Sequence, residues 1–409
     1  MKILYVTASC LTRNTSANMS HNGYVQGLLE NGHDVDILMA TDSWGQEDAV
    51  LPTWEQATYF CYPSVSFEDR LRKKLRGAFS APAAVVAGSQ TQNAAQAPKK
   101  TNLKAAARAC AKKIFYLCFP ADPLYPLEHT WLKKASRFKS NGEYDLVITN
   151  STPTASHKLV GSLIRKGSVK CKRWVQIWED PWFFDLYGGC SEEVRKEEHA
   201  LLREASEVYY VSPLTLKYQQ AHYPDCAHKM KHIPLPYFDF SANASDEVDG
   251  LSFGYFGDYY SKTRNLCPFY EALRKSGNKG YIYGDADVSL ESTEEITVSG
   301  RVTLDRLSKI QEKTTVLVHL CNLRGGQIPG KIYHYSATDK PILFILDGTQ
   351  EEQENLRSYF SQFNRFYFCE NREESILSVI QNIQSDICSG KTWNPVAEFS
   401  PKEVVAQLF

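Results

Sequence analysis

Two adjacent carboxylates, Glu179 and Asp180, close the run "WVQIWEDPWF". They follow a β-branched and aromatic strand pattern and stand among tryptophans. Carboxylates at a strand's carboxyl end, beside aromatic rings, suit sugar-hydroxyl binding or base catalysis. Helix capping by Asp180 ahead of Pro181 is the plainer alternative. His157, in "TNSTPTASHKLVG", falls in the first turn of an expected helix after another strand. The positive end of a helix disfavours an imidazolium, so a neutral base or hydrogen-bond acceptor is expected there. A structural or surface histidine would read the same way. Asp180 and His157 are the candidate catalytic groups.

A second set gathers glycines and cations, which suits a phosphate. "GGQIPGKIYHY" (325–335) joins the strand-like "TTVLVHL" to "PILFILDG". Pro329 fits a first helical position, where its missing N–H would be unpaired in any case. Gly330, Lys331 and Ile332 then offer amides at a helix start, and Lys331 adds a full charge. In "GYFGDYYSKTRN", Gly254 and Gly257 permit close backbone approach, and Lys262 and Arg264 follow in the same loop. Gly284 ends a strand at a place where a ligand or a crossing chain needs room. The turn Gly300–Arg301–Val302 could present backbone groups to a nucleobase edge. Solvated charges on glycine-rich turns are the ordinary alternative for each.

These residues need a scaffold that brings strand ends together. Strand patterns cover 2–9, 33–40, 58–62, 144–150, 173–178 and 207–211 in the first half. In the second half they cover 251–256, 280–283, 296–299, 315–320, 341–346 and 366–368. Helical patterns lie between them, which predicts two doubly wound α/β domains, Rossmann-like and facing across a cleft. A chain of 409 residues is also too long for one ordinary core. The first domain is expected over 1–238 and the second over 239–390. Pro, Ser, Asn and Asp are dense in the joining stretch 233–250. The segment 391–409, with a Ser-Pro helix entry, is expected to pack back on the first domain.

Composition narrows the class. Apolar residues make up 43% and charged residues 23%, as in a soluble globular protein. A net charge of −1 says nothing about partners at the level of the whole chain, and no nucleic-acid partner is expected. Eleven cysteines are scattered without a C-x-x-C or a Cys/His cluster, so reduced thiols, a cytoplasmic setting and no metal are expected. The N-terminal "KILYVTASC" is too short for a secretory signal, and no run reaches the roughly 18 apolar residues of a membrane span. The region 64–124 reads as a mobile basic insertion. Arg70–Arg76 ("RLRKKLR") and the lysines from Lys99 to Lys113 flank a small-residue stretch, Ala81–Ala97. Solvated helical faces explain these charges, and so does peripheral contact with the anionic inner face of the cytoplasmic membrane.

Taken in order, the segments resemble the GT-B glycosyltransferases, in particular the family-4-like group of bacterial polysaccharide and lipopolysaccharide assembly. "NGYVQGLLENGHDVDIL" is similar to that group's first helix and second strand. "YDLVITNSTPTASHKLVG" and "WVQIWEDPW" resemble its acceptor-domain segments at the cleft. "YFGDYYSKTRNL", "VTLDRLSKIQEKTTVLVHL" and "IPGKIYHYSATDKPIL" resemble its donor loop, base-turn helix and donor-binding helix. The resemblance spans most of the chain apart from about 63–124. It implies a UDP- or GDP-linked sugar held by the second domain, a glycan or lipid-linked acceptor held by the first, no metal, and a retaining outcome. It places Arg264 at the donor phosphates, Val302 at the base turn, and Gln327, Ile328, Pro329, Gly330 and Lys331 at the phosphate-binding helix start. The group's Glu-x7-Glu pair falls on Gly326 and His334, so His334 would hold the ribose. Where Arg often follows the donor-loop glycine, this chain has Asp258. A nucleotide-sugar epimerase of the same fold and a non-catalytic nucleotide-sugar-binding partner are the alternatives.

Overall fold

Strands buried on both faces read as continuous apolar runs, because helices cover a parallel sheet above and below. β1 (Lys2–Thr7) is such a run, buried from Ile3 onward. The computed structural model describes residues 1–42, 46–64, 122–186, 191–238 and 250–409. After β1 come β2 (Arg13–Asn14), α1 (Ser16–Glu30), β3 (Asp34–Ala40), β4 (Gln46–Glu47), β5 (Thr58–Tyr62) and α2 (His129–Ala135). Then follow β6 (Glu143–Ser151), α3 (Ala155–Arg165), β7 (Lys170–Trp178), α4 (Glu192–Glu204), β8 (Glu207–Tyr210), α5 (Pro213–His222) and β9 (Met230–His232). The first sheet has the order β5-β3-β1-β6-β7-β8-β9 and is parallel throughout.

The second half repeats the plan. It contains β10 (Ser252–Phe256), α6 (Cys267–Ser276), β11 (Lys279–Tyr283), β12 (Ile296–Ser299), α7 (Leu304–Glu312) and β13 (Val316–Leu320). These lead to α8 (Lys331–Tyr335), β14 (Ile342–Leu346), α9 (Gln350–Ser361), β15 (Phe366–Glu370), α10 (Glu373–Cys388) and α11 (Pro401–Ala406). Its sheet, also parallel, runs β12-β11-β10-β13-β14-β15. In each sheet the winding reverses beside the first strand, between β1 and β6 and between β10 and β13. Loops leaving the carboxyl ends diverge at such a point and leave a crevice.

The two halves touch. One apolar cluster runs from Val211, Ile233 and Leu235 of the first half to Ile328, Ile332 and Tyr333 of the second. The Tyr333 hydroxyl donates to the Val211 carbonyl at 3.1 Å. Helix α11 returns to α1. A β-carbon at Gly27 would lie 2.1 Å from the Pro401 carbonyl oxygen, so only glycine lets the two backbones approach this closely. Asn31 Nδ2 donates to Lys402 O at 3.0 Å, and Arg173 Nη2 donates to Leu408 O at 2.6 Å.

Two details differ from the sequence expectation. β9 and the short antiparallel pair β2–β4 carry no sequence pattern, because two or three residues are too few to show a period. The basic stretches 70–76 and 99–113 and the small-residue stretch 81–97 lie outside the described residues. Among the described residues no helix is long and apolar enough to cross a membrane. Gly27→Ala should displace α11 from α1 and lower stability by roughly 1–3 kcal/mol, the usual cost of overpacking. Urea unfolding and proteolysis of the C-terminal segment would read this out, and unchanged values would show that α11 can shift without cost.

Candidate functional site

The acidic side of the crevice begins where β7 ends. The Glu179 amide donates to Ser151 Oγ at 3.2 Å, at the end of the neighbouring β6. The Glu179 side chain turns inward, with Oε1 3.3 Å from His21 Nε2. His21 Nδ1 lies 2.9 Å from Thr7 Oγ1 at the end of β1. Burial disfavours charge on both groups. It pushes the Glu179 carboxyl well above its ordinary range and the His21 imidazole down to about 3, although a hydrogen bond with the Ser151 backbone opposes the latter. The pair is therefore neutral rather than ionic.

Asp180 points the other way, toward the second half of the chain. Its Oδ1 accepts a hydrogen bond from Gln327 Nε2 at 2.6 Å, and Asp185 Oδ1 accepts from the same nitrogen at 3.0 Å. Gln327 Oε1 accepts from the Leu186 amide at 2.9 Å. Burial pushes the Asp180 carboxyl up to about 7. The Gln327 bond lowers it, Asp185 and Glu179 raise it, and Arg264 lowers it. Residues 181–186 form turns, so Asp180 caps no helix.

Glu198 of α4 fixes the segment that carries these acids. It is fully buried and accepts from the amides of Trp182 (3.0 Å) and Phe183 (2.9 Å), from Gln219 Nε2 (3.1 Å) and from Tyr223 Oη (3.0 Å). A buried carboxylate with four donors anchors a loop more firmly than the loop's own turns.

The cationic side comes from the second sheet. In the loop after β10, Arg264 Nε donates to Asn322 Oδ1 at 2.9 Å and Nη1 to the Asp258 carbonyl at 3.2 Å. Asn322 Nδ2 donates to the Gln327 carbonyl at 3.1 Å. Side-chain and backbone bonds therefore run from Arg264 through Asn322 and Gln327 to Asp180. Lys331 is half-buried beside Gly257, where a β-carbon would lie 3.8 Å from its Cδ. Burial pushes its ammonium down to about 8, with Asp258 opposing the shift and Arg301 and Arg264 adding to it. Among the described residues nothing accepts a hydrogen bond from the amides of Ile328, Gly330 or Lys331. These amides lie on the same side of the crevice as Lys331 and Arg264.

Several expectations change. The Ile332 amide is used by Pro329 O at 3.3 Å, and α8 is only five residues long. Any pull on an anion there would have to come from individual amides and cations, because a helix this short has little macrodipole. Gly284 serves a chain crossing: a β-carbon there would lie 1.9 Å from Gly257 O. Gln327 is only 7% exposed, and its carboxamide faces the first domain's acids. Ile328 and half-buried Val302 pack into the apolar core with their side chains. Lys262 is exposed near Asp287. Asp258 is paired with Arg301, whose Nε lies 3.1 Å from Asp258 Oδ1 and 3.0 Å from Asp285 Oδ2.

The positions of the Glu-x7-Glu pair also have physical explanations. A β-carbon at Gly326 would lie 2.7 Å from the Thr215 amide nitrogen, so no carboxylate side chain fits there, and Ser212 Oγ donates to the Gly326 carbonyl. His334 Nδ1 accepts from the Phe238 amide at 3.3 Å, which ties the ring to the chain joining the two domains. His157 is fully buried, with its ring centroid 4.5 Å from that of Trp178 and Nδ1 2.7 Å from Thr149 Oγ1. Desolvation rather than a helix dipole holds it down to about 3, and its burial removes it as a base for a bound acceptor.

Asp185, Asn322 and Glu198 were not singled out from sequence. Asp185 had a signal, as a third acid within six residues of Glu179. Asn322 lies two residues past the end of β13, and Glu198 was hidden in an acid-rich helix.

His157 should affect stability rather than turnover. Its folded pKa lies below its unfolded value, so its contribution is complete above about pH 6.5 and declines as pH falls toward 3, by at most about 1.4 kcal/mol per unit. His157→Gln should cost roughly 1–2 kcal/mol at pH 7. The gap to wild type should narrow at pH 4.5 in urea melts, and a constant gap would contradict the neutral buried ring.

No protein-family model matches the chain, and no curated protein matches it in sequence. Solved structures do match it in shape. An alpha-glucosyltransferase in complex with UDP and a 13-mer DNA containing an HMU base is 11% identical with a TM-score of 0.54, over 100% of this chain and 94% of that one. A structure described as trehalose-6-phosphate from E. coli bound with UDP-2-fluoro glucose is 9% identical with a TM-score of 0.52, over 100% and 96%. A putative UDP-N-acetylglucosamine 2-epimerase from Listeria monocytogenes is 9% identical with a TM-score of 0.50, over 100% and 94%. At this identity the likeness establishes the fold. The chain has the GT-B architecture, two Rossmann-like domains facing across a crevice.

Proposed function

We propose that the protein is a glycosyltransferase that moves a sugar from a nucleoside diphosphate sugar, UDP- or GDP-linked, to a glycan or lipid-linked acceptor. One observation carries the reading: Gln327 of the second domain reaches Asp180 of the first at 2.6 Å, beside the amides of Ile328, Gly330 and Lys331, which pair with nothing among the described residues, and Arg264 acts on the same carboxyl. Two structures of the same architecture hold UDP or a UDP-sugar analogue, which supports a nucleotide sugar here.

When the glycosidic bond to the donor breaks, negative charge grows on the leaving diphosphate. Preoriented amides of Ile328, Gly330 and Lys331, with the Lys331 and Arg264 side chains, oppose that charge without needing to reorganise. No metal is invoked, because the chain's own cations supply the countercharge. Asp180 accepts the acceptor hydroxyl's proton, and a carboxyl held near pH 7 is matched to that task. Contact between the domains excludes water that would hydrolyse the donor. The acceptor belongs to bacterial surface-polysaccharide assembly in this reading, and its hydroxyl attacks the face that the diphosphate leaves, so that the transferred carbon keeps its configuration. The Arg70–Arg76 charges would hold the enzyme at the inner membrane face.

A thermal-shift screen with UDP, GDP, CDP and dTDP should raise the melting temperature with one base preferentially, since a ligand of the native state alone stabilises it. Lys331→Ala should weaken that nucleotide roughly 10- to 100-fold by calorimetry, the range for losing a charge-assisted bond. Unchanged binding would remove Lys331 from the site. Conversion of the nucleotide sugar without an acceptor would instead point to an epimerase.

A further inference from the structure

Gln327 is buried at the contact between the two domains and is neutral. Its amide nitrogen carries two hydrogens, and they reach Asp180 Oδ1 and Asp185 Oδ1 at 2.6 and 3.0 Å. Its oxygen takes the Leu186 amide at 2.9 Å. All three partners belong to the first domain, whereas Gln327 follows β13 of the second. Asn322 fixes the backbone of Gln327, and Glu198 fixes the acidic segment from below. The contact therefore joins two independently anchored loops, and it exists only while the domains are together.

We infer that Gln327 is a positioning residue that couples domain closure to the acid at Asp180, occupying its Oδ1 and leaving Oδ2 to receive the acceptor's proton. The inference rests on the transferase reading above. It replaces a donor-binding role for Gln327 with an interdomain one.

The chemistry of the side chain fits this task. A lysine at this place would form a lasting ion pair with Asp180 and Asp185, and a glutamate would repel both. An amide donates one bond to each acid and can release them when the domains part. The bond to Asp180 favours its ionised form, which can take a proton. The charged and titratable groups facing Asp180 are Asp185 and Glu179 on its own segment and Arg264 from the second domain; Asp185 and Glu179 oppose ionisation and Arg264 assists it. Removal of the Gln327 amide should therefore raise the pH needed for turnover, and removal of Asp185 should lower it.

The test compares pH–rate profiles of wild type, Gln327→Met and Asp185→Asn, with the nucleotide sugar and acceptor that the wild type turns over. Gln327→Met keeps the length of the side chain and removes its hydrogen bonds. Its acid limb should move up by about one pH unit, roughly a tenfold loss below the limb and recovery to within about threefold at pH 9. Donor KM should stay within about twofold, and Asp185→Asn should move the limb the opposite way. Hydrogen exchange at the Leu186 amide should speed up in Gln327→Met and stay unchanged in Lys331→Ala. A raised donor KM with an unmoved limb would overturn the inference, as would a loss uniform across pH. If the wild type turns over no nucleotide sugar, the transferase reading fails on its own. Leu186 exchange then still decides the interdomain tie, and unchanged protection in Gln327→Met would overturn it.

Discussion

The carboxamide of Gln327, held between Asp180 and Asp185, is the contact on which the crevice depends. Two parallel sheets each open a crevice at the point where their winding reverses, and their loops bring Asp180 from one and a group of amides and cations from the other. The acid comes from the end of β7, and the amides and cations come from the loops after β10 and β13. Apolar packing of Ile328, Ile332 and Tyr333 against Val211 and Leu235 brings the halves together without direction. Hydrogen bonds supply the direction, because an amide has a fixed number of donors at fixed angles.

Burial then sets the ionisation of each group. Desolvation pushes Glu179 up and His21 down, so two groups that would pair as ions in water meet as neutral partners. The same effect raises Asp180 and lowers Lys331, bringing an acid and a base from distant ordinary values to about 7 and about 8. Both can then change protonation near neutral pH with small changes in surroundings. Asp258 and Arg301 compensate each other beside Lys331 and Arg264.

Much of the fold was legible because buried parallel strands are long apolar runs. Ile342–Leu346 and Val316–Leu320 are buried at every position and could be read directly. β9 was not, since three residues at a sheet edge carry no period. The site was legible in part. Glycine and proline in "GGQIPGKIYHY" marked a turn into a short helix, which α8 bears out, since local chemistry determines a turn. What Gln327 faces could not be read, because its partners lie over 140 positions away in sequence. His157 misled for a related reason: a position in a first helical turn does not reveal whether the ring meets solvent or, as here, Trp178. The residue at 326 shows the reverse relation. Its missing carboxylate looks like a lost function in sequence, but the Thr215 amide occupies the space where any side chain would begin.

The most direct test of the account is a crystal structure of the protein with its preferred nucleoside diphosphate bound. The account predicts the diphosphate oxygens within hydrogen-bonding distance of the Gly330 and Lys331 amides and of the Lys331 and Arg264 side chains, across the crevice from Asp180. A diphosphate bound elsewhere, or a crevice still closed to it at saturating nucleotide, would contradict the account.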